Sequence, residues 1–213
     1  MAAGPGERAR VIVATRNEHK LREFAELLPE LSLEPLPAEV ELPPEEGLSF
    51  AANALVKARA AQMGTGVASI ADDSGIEAAA LDGAPGIYSA RYAGERASDE
   101  ENLEKLLAEV KAAGEDRRVA YVCVLAYVNR RGEEGTFEAR CTGTLIEQPR
   151  GSGGFGYDPA FVPDAIDGDR TMAELSPEEK NAISHRGQAA RLFAAHLRAA
   201  ADAKAELRGD LGQ

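Results

Sequence analysis

Cysteine is scarce in this 213-residue chain: Cys123 and Cys141 are the only two. They lack CxxC spacing and have no histidine near them in the sequence, which excludes a zinc site and a disulfide framework and leaves reduced, buried thiols as the expectation. No run of 18 apolar residues free of charge occurs, and residues 1–10 have no apolar centre of the kind a secretory leader needs. A cytoplasmic protein with no membrane partner is therefore expected. Positive charge is also in deficit, with 24 Lys and Arg against 36 Asp and Glu and a formal net charge of −12. That field opposes long polyanions, so no nucleic-acid partner is expected, and cationic chemistry is confined to a local pocket. Internal repeats are absent.

The remaining composition is that of a globular protein: 44% hydrophobic and 28% charged residues, with 21 Gly and 11 Pro. Against a soft prior of about 150 residues per domain, the length fits one large domain with room for a second lobe. Residues 10–206 are expected to form that domain between flexible ends at 1–9 and 207–213.

A β-branched run at 10–14 stops at Thr15-Arg16-Asn17, after which Leu21, Phe24, Ala25 and Leu28 recur at helical spacing. This predicts a strand, a turn and a helix over about 18–28, with Asn17 as N-cap and Pro29 as stop. A short apolar stretch at 33–36 precedes a Pro-rich acidic segment, 37–47, read as a surface loop. Ser49 caps a second helix whose alanines, with Leu55, Val56 and Met63, supply its apolar face, and Gly64-Thr65-Gly66 ends it before a strand at 67–71. Asp72-Asp73-Ser74-Gly75 reads as the exit from that strand, and 82–94 as a long loop of the functional kind. Ser98 and Glu101 form a capping box for a helix to about Ala112. Residues 119–128 are almost continuously apolar, as in a central strand covered on both faces, and Arg130-Arg131-Gly132 turns them into an alternating strand at 135–146. Ser176 and Glu179, with Pro177 at the first helical position, make another capping box, and a terminal helix over about 188–206 carries Leu192, Phe193, Ala195 and Leu197. The βαβ-like start and later hairpin predict an α/β fold with a mixed, elongated central sheet, flanking helices and two lobes around a cleft.

Four segments carry chemistry. The turn before the first helix places hydroxyl, amide and cationic side chains beside a helix N-terminus, which suits phosphate, with Lys20 one turn in; the same pattern fits an ordinary capped helix, and it lacks the glycines of a Walker A loop. Asp72 and Asp73 are adjacent acids whose side chains point to opposite faces of an extended chain, so one enters a given pocket while the other braces the loop. As ligands of a divalent cation facing a polyphosphate they make chemical sense, and Glu45 or Glu46 adds a further oxygen; the alternative is a turn with Asx caps. Gly151-Ser152-Gly153-Gly154-Phe155-Gly156 matches GxGxxG letter for letter, but Pro149 before it and Tyr157-Asp158-Pro159 after it forbid the strand-to-helix context of a dinucleotide site. A glycine-rich loop bearing Phe155 and Tyr157 instead suits a flat ligand stacked on an aromatic ring. Finally, Lys180, His185 and Arg186 concentrate donors between two helical segments, able to meet an exocyclic oxygen of a base.

These motifs occur in one order: Ala14-Thr15-Arg16-Asn17 with Lys20; Asn53 with Lys57; Asp72-Asp73-Ser74-Gly75 continuing to Pro85-Gly86-Ile87-Tyr88-Ser89-Ala90-Arg91-Tyr92; Gly154-Phe155-Gly156-Tyr157-Asp158-Pro159; and Glu179-Lys180 with Ser184-His185-Arg186-Gly187. Over about residues 10–200 the chain resembles the non-canonical purine nucleoside triphosphate pyrophosphatases, also called inosine triphosphate pyrophosphatases. The resemblance implies a homodimeric, Mg²⁺-dependent enzyme that converts ITP, dITP and XTP to the monophosphate and pyrophosphate, clearing deaminated purines from the nucleotide pool. It implies that Thr15, Arg16, Asn17, Glu18, His19, Lys20, Lys57 and Ser74 bind the triphosphate. It further implies that Glu45 and Asp73 bind the metal, and that Phe155, Gly156, Tyr157, Asp158, Lys180, His185 and Arg186 bind the nucleoside. Asp73 is then the general base, with Lys57 its catalytic partner. Glu45-Glu46-Gly47 stands where the family often has Glu-Thr-Gly, so Glu46 is an alternative ligand, and Arg16 replaces a commonly small residue. A house-cleaning enzyme for another modified base and a nucleotide sensor without turnover are the competing readings; the presence of Lys57 and Asp73 argues for turnover.

Overall fold

The computed structural model describes residues 8–210, and side chains through residue 203. The first β-branched run forms β1 (Ala9–Val13), and the polar turn after it enters α1 (Glu18–Leu27), where Asn17 Oδ1 accepts from the N–H groups of His19 and Lys20 at 2.9 and 3.2 Å. α1 returns the chain to β2 (Leu31–Pro35), parallel to β1. Ser49 caps α2 (Phe50–Thr65), which closes on Gly66 at φ +67°, a conformation that glycine adopts without a Cβ clash. β3 (Ser69–Ala78) lies parallel to β1 on its other side. α3 (Asp99–Ala113) opens on the Ser98–Glu101 capping box, and the long hairpin is β4 (Arg118–Val128) and β5 (Glu134–Leu145). β6 (Phe161–Pro163), α4 (Pro177–Ile183) and α5 (His185–Asp210) complete the order. The six strands make one mixed sheet, β2-β1-β3-β4-β5-β6, antiparallel from β3 onward. Among the described residues no helix is long and apolar enough to cross a membrane.

Helices cover both faces of the sheet, as the predicted α/β class requires. α1 and α5 place Phe24, Leu28, Ala189, Ala190 and Phe193 against Val11, Val13, Ile70, Cys123 and Leu125. On the opposite face the small side chains Ala54, Ala58 and Ala61 let α2 approach Ile12, Ala14, Ala71, Val122 and Val124 closely. Further along the same long strands, Ile76, Val119, Tyr121 and Phe161 pack with Leu103, Leu106 and Val110 of α3. The two lobes are thus opposite ends of β3, β4 and β5, and the seam between the apolar clusters falls at residues 72–75. Both cysteines are free and buried, and burial pushes their thiols up, to about 12 for Cys123 and about 11 for Cys141.

Several local expectations change. Asp72-Asp73-Ser74-Gly75 is the middle of a strand, because β4 supplies an unbroken antiparallel ladder from Ser69↔Val128 to Ala78↔Val119. The long loop at 82–94 contains the 3-10 turn Gly86–Arg91, after another at Ala79–Leu81. Met63 is 82% exposed and Leu192 49%, so the buried stripe of α2 runs instead through Phe50, Asn53, Ala54, Lys57, Ala58 and Ala61, and that of α5 through Ala189, Ala190, Phe193 and Ala194. Ala195 is exposed as well. α5 starts three residues before the expected Gln188 and its backbone stays helical to Asp210; β1 already begins at Ala9. The remaining parts of the two ends expected to be flexible, 1–7 and 211–213, lie outside the described residues.

Candidate functional site

β1 ends in a turn whose backbone is organised by its own side chains: Thr15 Oγ1 accepts from Asn17 N at 3.1 Å, and Asn17 takes the N–H groups of His19 and Lys20. Those two helix-terminal donors are satisfied within the chain. Lys20, one turn into α1, reaches Asp72 Oδ2 at 3.0 Å. The Asp72 side chain is 1% exposed, and Arg186 Nη2 approaches the same oxygen at 3.2 Å. A buried carboxylate without compensation is prohibitively expensive. Here burial pushes the Asp72 carboxyl up, but Lys20, Arg186 and Lys57 outweigh it and hold the group far below the usual carboxylate range.

Asp73 projects to the other face of β3, towards α2, as the alternation of an extended strand demands. Asn53 Nδ2 donates to its Oδ2 at 2.9 Å and Ser74 N to its Oδ1 at 3.0 Å. Lys57, on the buried stripe one turn after Asn53, pairs with Glu45 and donates to the Asp72 carbonyl at 2.7 Å. Burial raises the Asp73 carboxyl and the like charge of Glu45 raises it further, against Lys57, Asn53 and Lys20. Two carboxylates that repel each other across a lysine form a hard oxygen donor set, and a divalent cation relieves that repulsion. Among the described residues no group of three or more His, Cys, Asp or Glu forms a closed cage; the donor set fits Mg²⁺, which takes one or two carboxylates and fills the rest of its octahedron with water and phosphate oxygens. Glu45 is half-buried here, whereas Glu46 is exposed.

The other end of the site is built around Asp158, itself 3% exposed. Its Oδ1 accepts from Tyr121 Oη at 3.0 Å, and its Oδ2 accepts from Lys180 Nζ at 2.8 Å and Phe155 N at 3.0 Å. Gly154 sits at φ +71°, and a Cβ there would fall 2.0 Å from Asp158 Oδ2, so the approach needs glycine. The glycine run is followed by the 3-10 turn Asp158–Ala160, not by the helix a dinucleotide fingerprint requires. Phe155 presents its ring to Lys180 at 4.9 Å and Arg186 at 5.7 Å. His185 stacks on Tyr121 at 4.7 Å and 15°, and Tyr121 on Phe161 at 4.5 Å. Burial, then the charges of Arg186 and Lys180, push the His185 imidazole well below its ordinary value, so the ring is neutral at pH 7. Three buried polar atoms here have no partner: Asp72 Oδ1, His185 Nδ1 and Arg186 Nε.

A cavity of about 240 Å³ is lined by Asn17, His19, Lys20, Ser74, Phe155, Gly156, Tyr157, Asp158, Lys180, His185 and Arg186 among the expected residues. Glu45, Lys57 and Asp73 form the adjoining cluster across β3. Two larger hollows, each about 530 Å³, lie beside α3 and over the outer strand face near Arg118 and Arg140, and neither gathers comparable chemistry. Thr15 and Glu18 do not line the cavity, and neither does Arg16, whose guanidinium turns to the carbonyls of Leu36, Pro37 and Val40. Glu23 escaped sequence reading. It bridges Arg186 and, at 3.3 Å, Lys180, and its one signal was its place one turn after Lys20 on the same helix face. Ser89, which donates to Gly86 O at 2.6 Å and accepts from Ile76 N at 2.8 Å, was also missed.

The profile of the Ham1 family matches residues 11–196. The dITP/XTP pyrophosphatase of Pectobacterium atrosepticum is 50% identical over 198 residues, 89% of this chain and 98% of its own. That of Yersinia pseudotuberculosis is 48% identical over 196 residues, with coverage of 89% and 98%. The solved structure of a HAM1 protein from Coxiella burnetii shares 41% identity and a TM-score of 0.81, covering 89% of this chain and 98% of that one.

Proposed function

The chain belongs to the Ham1 family, and on that premise we propose that it hydrolyses ITP, dITP and XTP to the nucleoside monophosphate and pyrophosphate, removing deaminated purines from the nucleotide pool. One observation carries this reading: a single cavity runs from Lys20 and the capped turn of α1 to an aromatic, donor-rich end at Phe155, His185 and Arg186. The triphosphate lies at the first end and the base at the second.

Water attacks the α-phosphorus in line, and Asp73 takes its proton. Lys57 and Lys20 offset the charge that develops on the pyrophosphate leaving group. Mg²⁺, held by Glu45 and Asp73, supplies charge neutralisation of the triphosphate when bound. Phe155 stacks on the purine, and N–H groups of His185 and Arg186, which line the same end of the cavity, meet its 6-oxo group. The 6-amino group of ATP would set donor against donor and leave buried groups unpaired. GTP shares the 6-oxo group, so its exclusion rests on the 2-position. The homodimer comes from the family resemblance, whereas the cytoplasmic location is an expectation from the sequence; light scattering that returns a monomer mass at micromolar concentration rejects the former.

Hydrolysis in ¹⁸O-labelled water tests the reaction. Label in the monophosphate, with none in pyrophosphate, is expected; label in pyrophosphate or release of orthophosphate places attack at another phosphorus and overturns the mechanism.

A further inference from the structure

Residues 36–47 carry Glu45 through a stretch without regular structure, and Pro37, Pro43 and Pro44 remove three of its backbone donors. Within residues 37–47, the backbone bonds found among the described residues are Val40 N to Pro37 O and Glu46 N to Pro44 O, both 3.1 Å. Such a segment holds its shape through what grips it from outside and through the side chains it buries itself, Leu36 and Val40, which join the core beside α2, with Glu45 paired to Lys57. Its far end is gripped by Arg91, which donates to Glu45 O at 3.1 Å, and by Asn53, whose Oδ1 accepts from Gly47 N at 2.8 Å. Its near end is gripped by Arg16. Nη1 donates to Leu36 O at 2.8 Å, and Nη2 to Pro37 O at 2.9 Å and Val40 O at 2.8 Å, with Ala38 O at 3.4 Å.

Carbonyls spread over two Nη atoms, Leu36 O on one and Pro37 O and Val40 O on the other with Ala38 O at the margin, form a geometry that a planar guanidinium spans and the single nitrogen of lysine does not. Arg16 also belongs to the turn that sets Asn17 and Lys20, so the grip joins the phosphate end of the cavity to the loop bearing a metal carboxylate. We infer that Arg16 is a positioning residue: it fastens the 36–47 loop to the β1–α1 turn and thereby fixes Glu45 beside Asp73 for the cation. The inference rests on the assignment of Glu45 as a metal ligand. It replaces the expectation that Arg16 binds phosphate.

The test compares wild type with Arg16→Ala and Arg16→Lys by amide hydrogen exchange on the protein without nucleotide, and by activity on ITP against Mg²⁺ concentration. In Arg16→Ala, exchange within 38–47 should quicken by about tenfold while the core strands keep their protection. The Mg²⁺ needed for half-maximal rate should rise about fivefold or more, with kcat at saturating Mg²⁺ changed by less than about threefold. Arg16→Lys should recover less than half of both effects. In a Glu45→Gln background, Arg16→Ala should still quicken exchange yet add nothing to the Mg²⁺ requirement. Unchanged exchange in 38–47, or full rescue by lysine, overturns the anchoring. A raised KM for ITP at saturating Mg²⁺, with an unaltered Mg²⁺ requirement, returns the guanidinium to the triphosphate and also overturns it. If Glu45→Gln alone leaves the Mg²⁺ requirement unchanged, the ligand assignment fails; the exchange result then shows separately whether Arg16 anchors the loop.

Discussion

Replacing Asp72 by Asn keeps the side chain's shape and removes its charge at the most crowded point of the site. The carboxylate is 1% exposed and faces Lys20 at 3.0 Å, Arg186 at 3.2 Å and the Ser74 hydroxyl at 2.5 Å. Arg186, 3% exposed, keeps only Glu23 as a counter-charge, while Lys20, 18% exposed, regains some contact with water. Removing one partner of a buried ion pair costs about 3–5 kcal/mol, and these two compensations place the expectation near the lower end, about 3 kcal/mol. For a chain of this size that is a fall of roughly 6–12 °C in Tm. The pH dependence follows from the sign of the shift. The folded-state carboxyl lies far below its ordinary 3.8, so its contribution is complete above that value and is lost as pH falls below it. Urea unfolding of wild type and Asp72→Asn, followed by circular dichroism, should give a constant difference from pH 5 to pH 8 and one smaller by about 1 kcal/mol at pH 3. A difference under about 1 kcal/mol at pH 7, or one that does not shrink at pH 3, refutes the view that Asp72 anchors the cations of the site.

Asp73→Asn should fold with a near-normal melting curve and lose at least about 10²-fold in kcat; a rate within a factor of a few of wild type removes Asp73 from the role of base. His185→Ala should chiefly erode the ratio of kcat/KM for ITP over ATP, by about tenfold or more, and an unchanged ratio disproves base reading by His185. Gly154→Ala forces a Cβ to within 2.0 Å of Asp158 Oδ2 at a positive φ. It should therefore raise the KM for ITP severalfold and lower Tm, whereas a wild-type KM would mean that the loop has another conformation.

Local chemistry made much of the fold readable. The N-caps Asn17, Ser49, Ser98 and Ser176 act as side-chain–backbone contacts within a few residues, and all four appear where residue type places them. The apolar run of β4 and the alternation of β5 are likewise local patterns. Asp72 to Gly75 was misread because acids, serine and glycine have poor strand propensity; the ladder that makes them a strand comes from β4, some fifty residues further on, and the charges that stabilise them come from α1 and α5. Arg16 and Glu23 show the same limit: the contacts of a surface-looking charge are with partners distant in sequence, carbonyls of 36–40 in one case and Lys180 and Arg186 in the other. Met63 and Leu192 show the converse: apolar character alone does not imply burial, since α2 and α5 turn both outward.

The most direct test of the central claim is product analysis of the purified protein with Mg²⁺ and, in parallel, ITP, XTP, dITP, ATP, GTP and dTTP, resolving monophosphate plus pyrophosphate from diphosphate plus orthophosphate. Monophosphate and pyrophosphate from ITP, XTP and dITP, with the other three slow, is the predicted result. Comparable turnover of ATP, orthophosphate as the product, or tight binding of ITP without any product would contradict it.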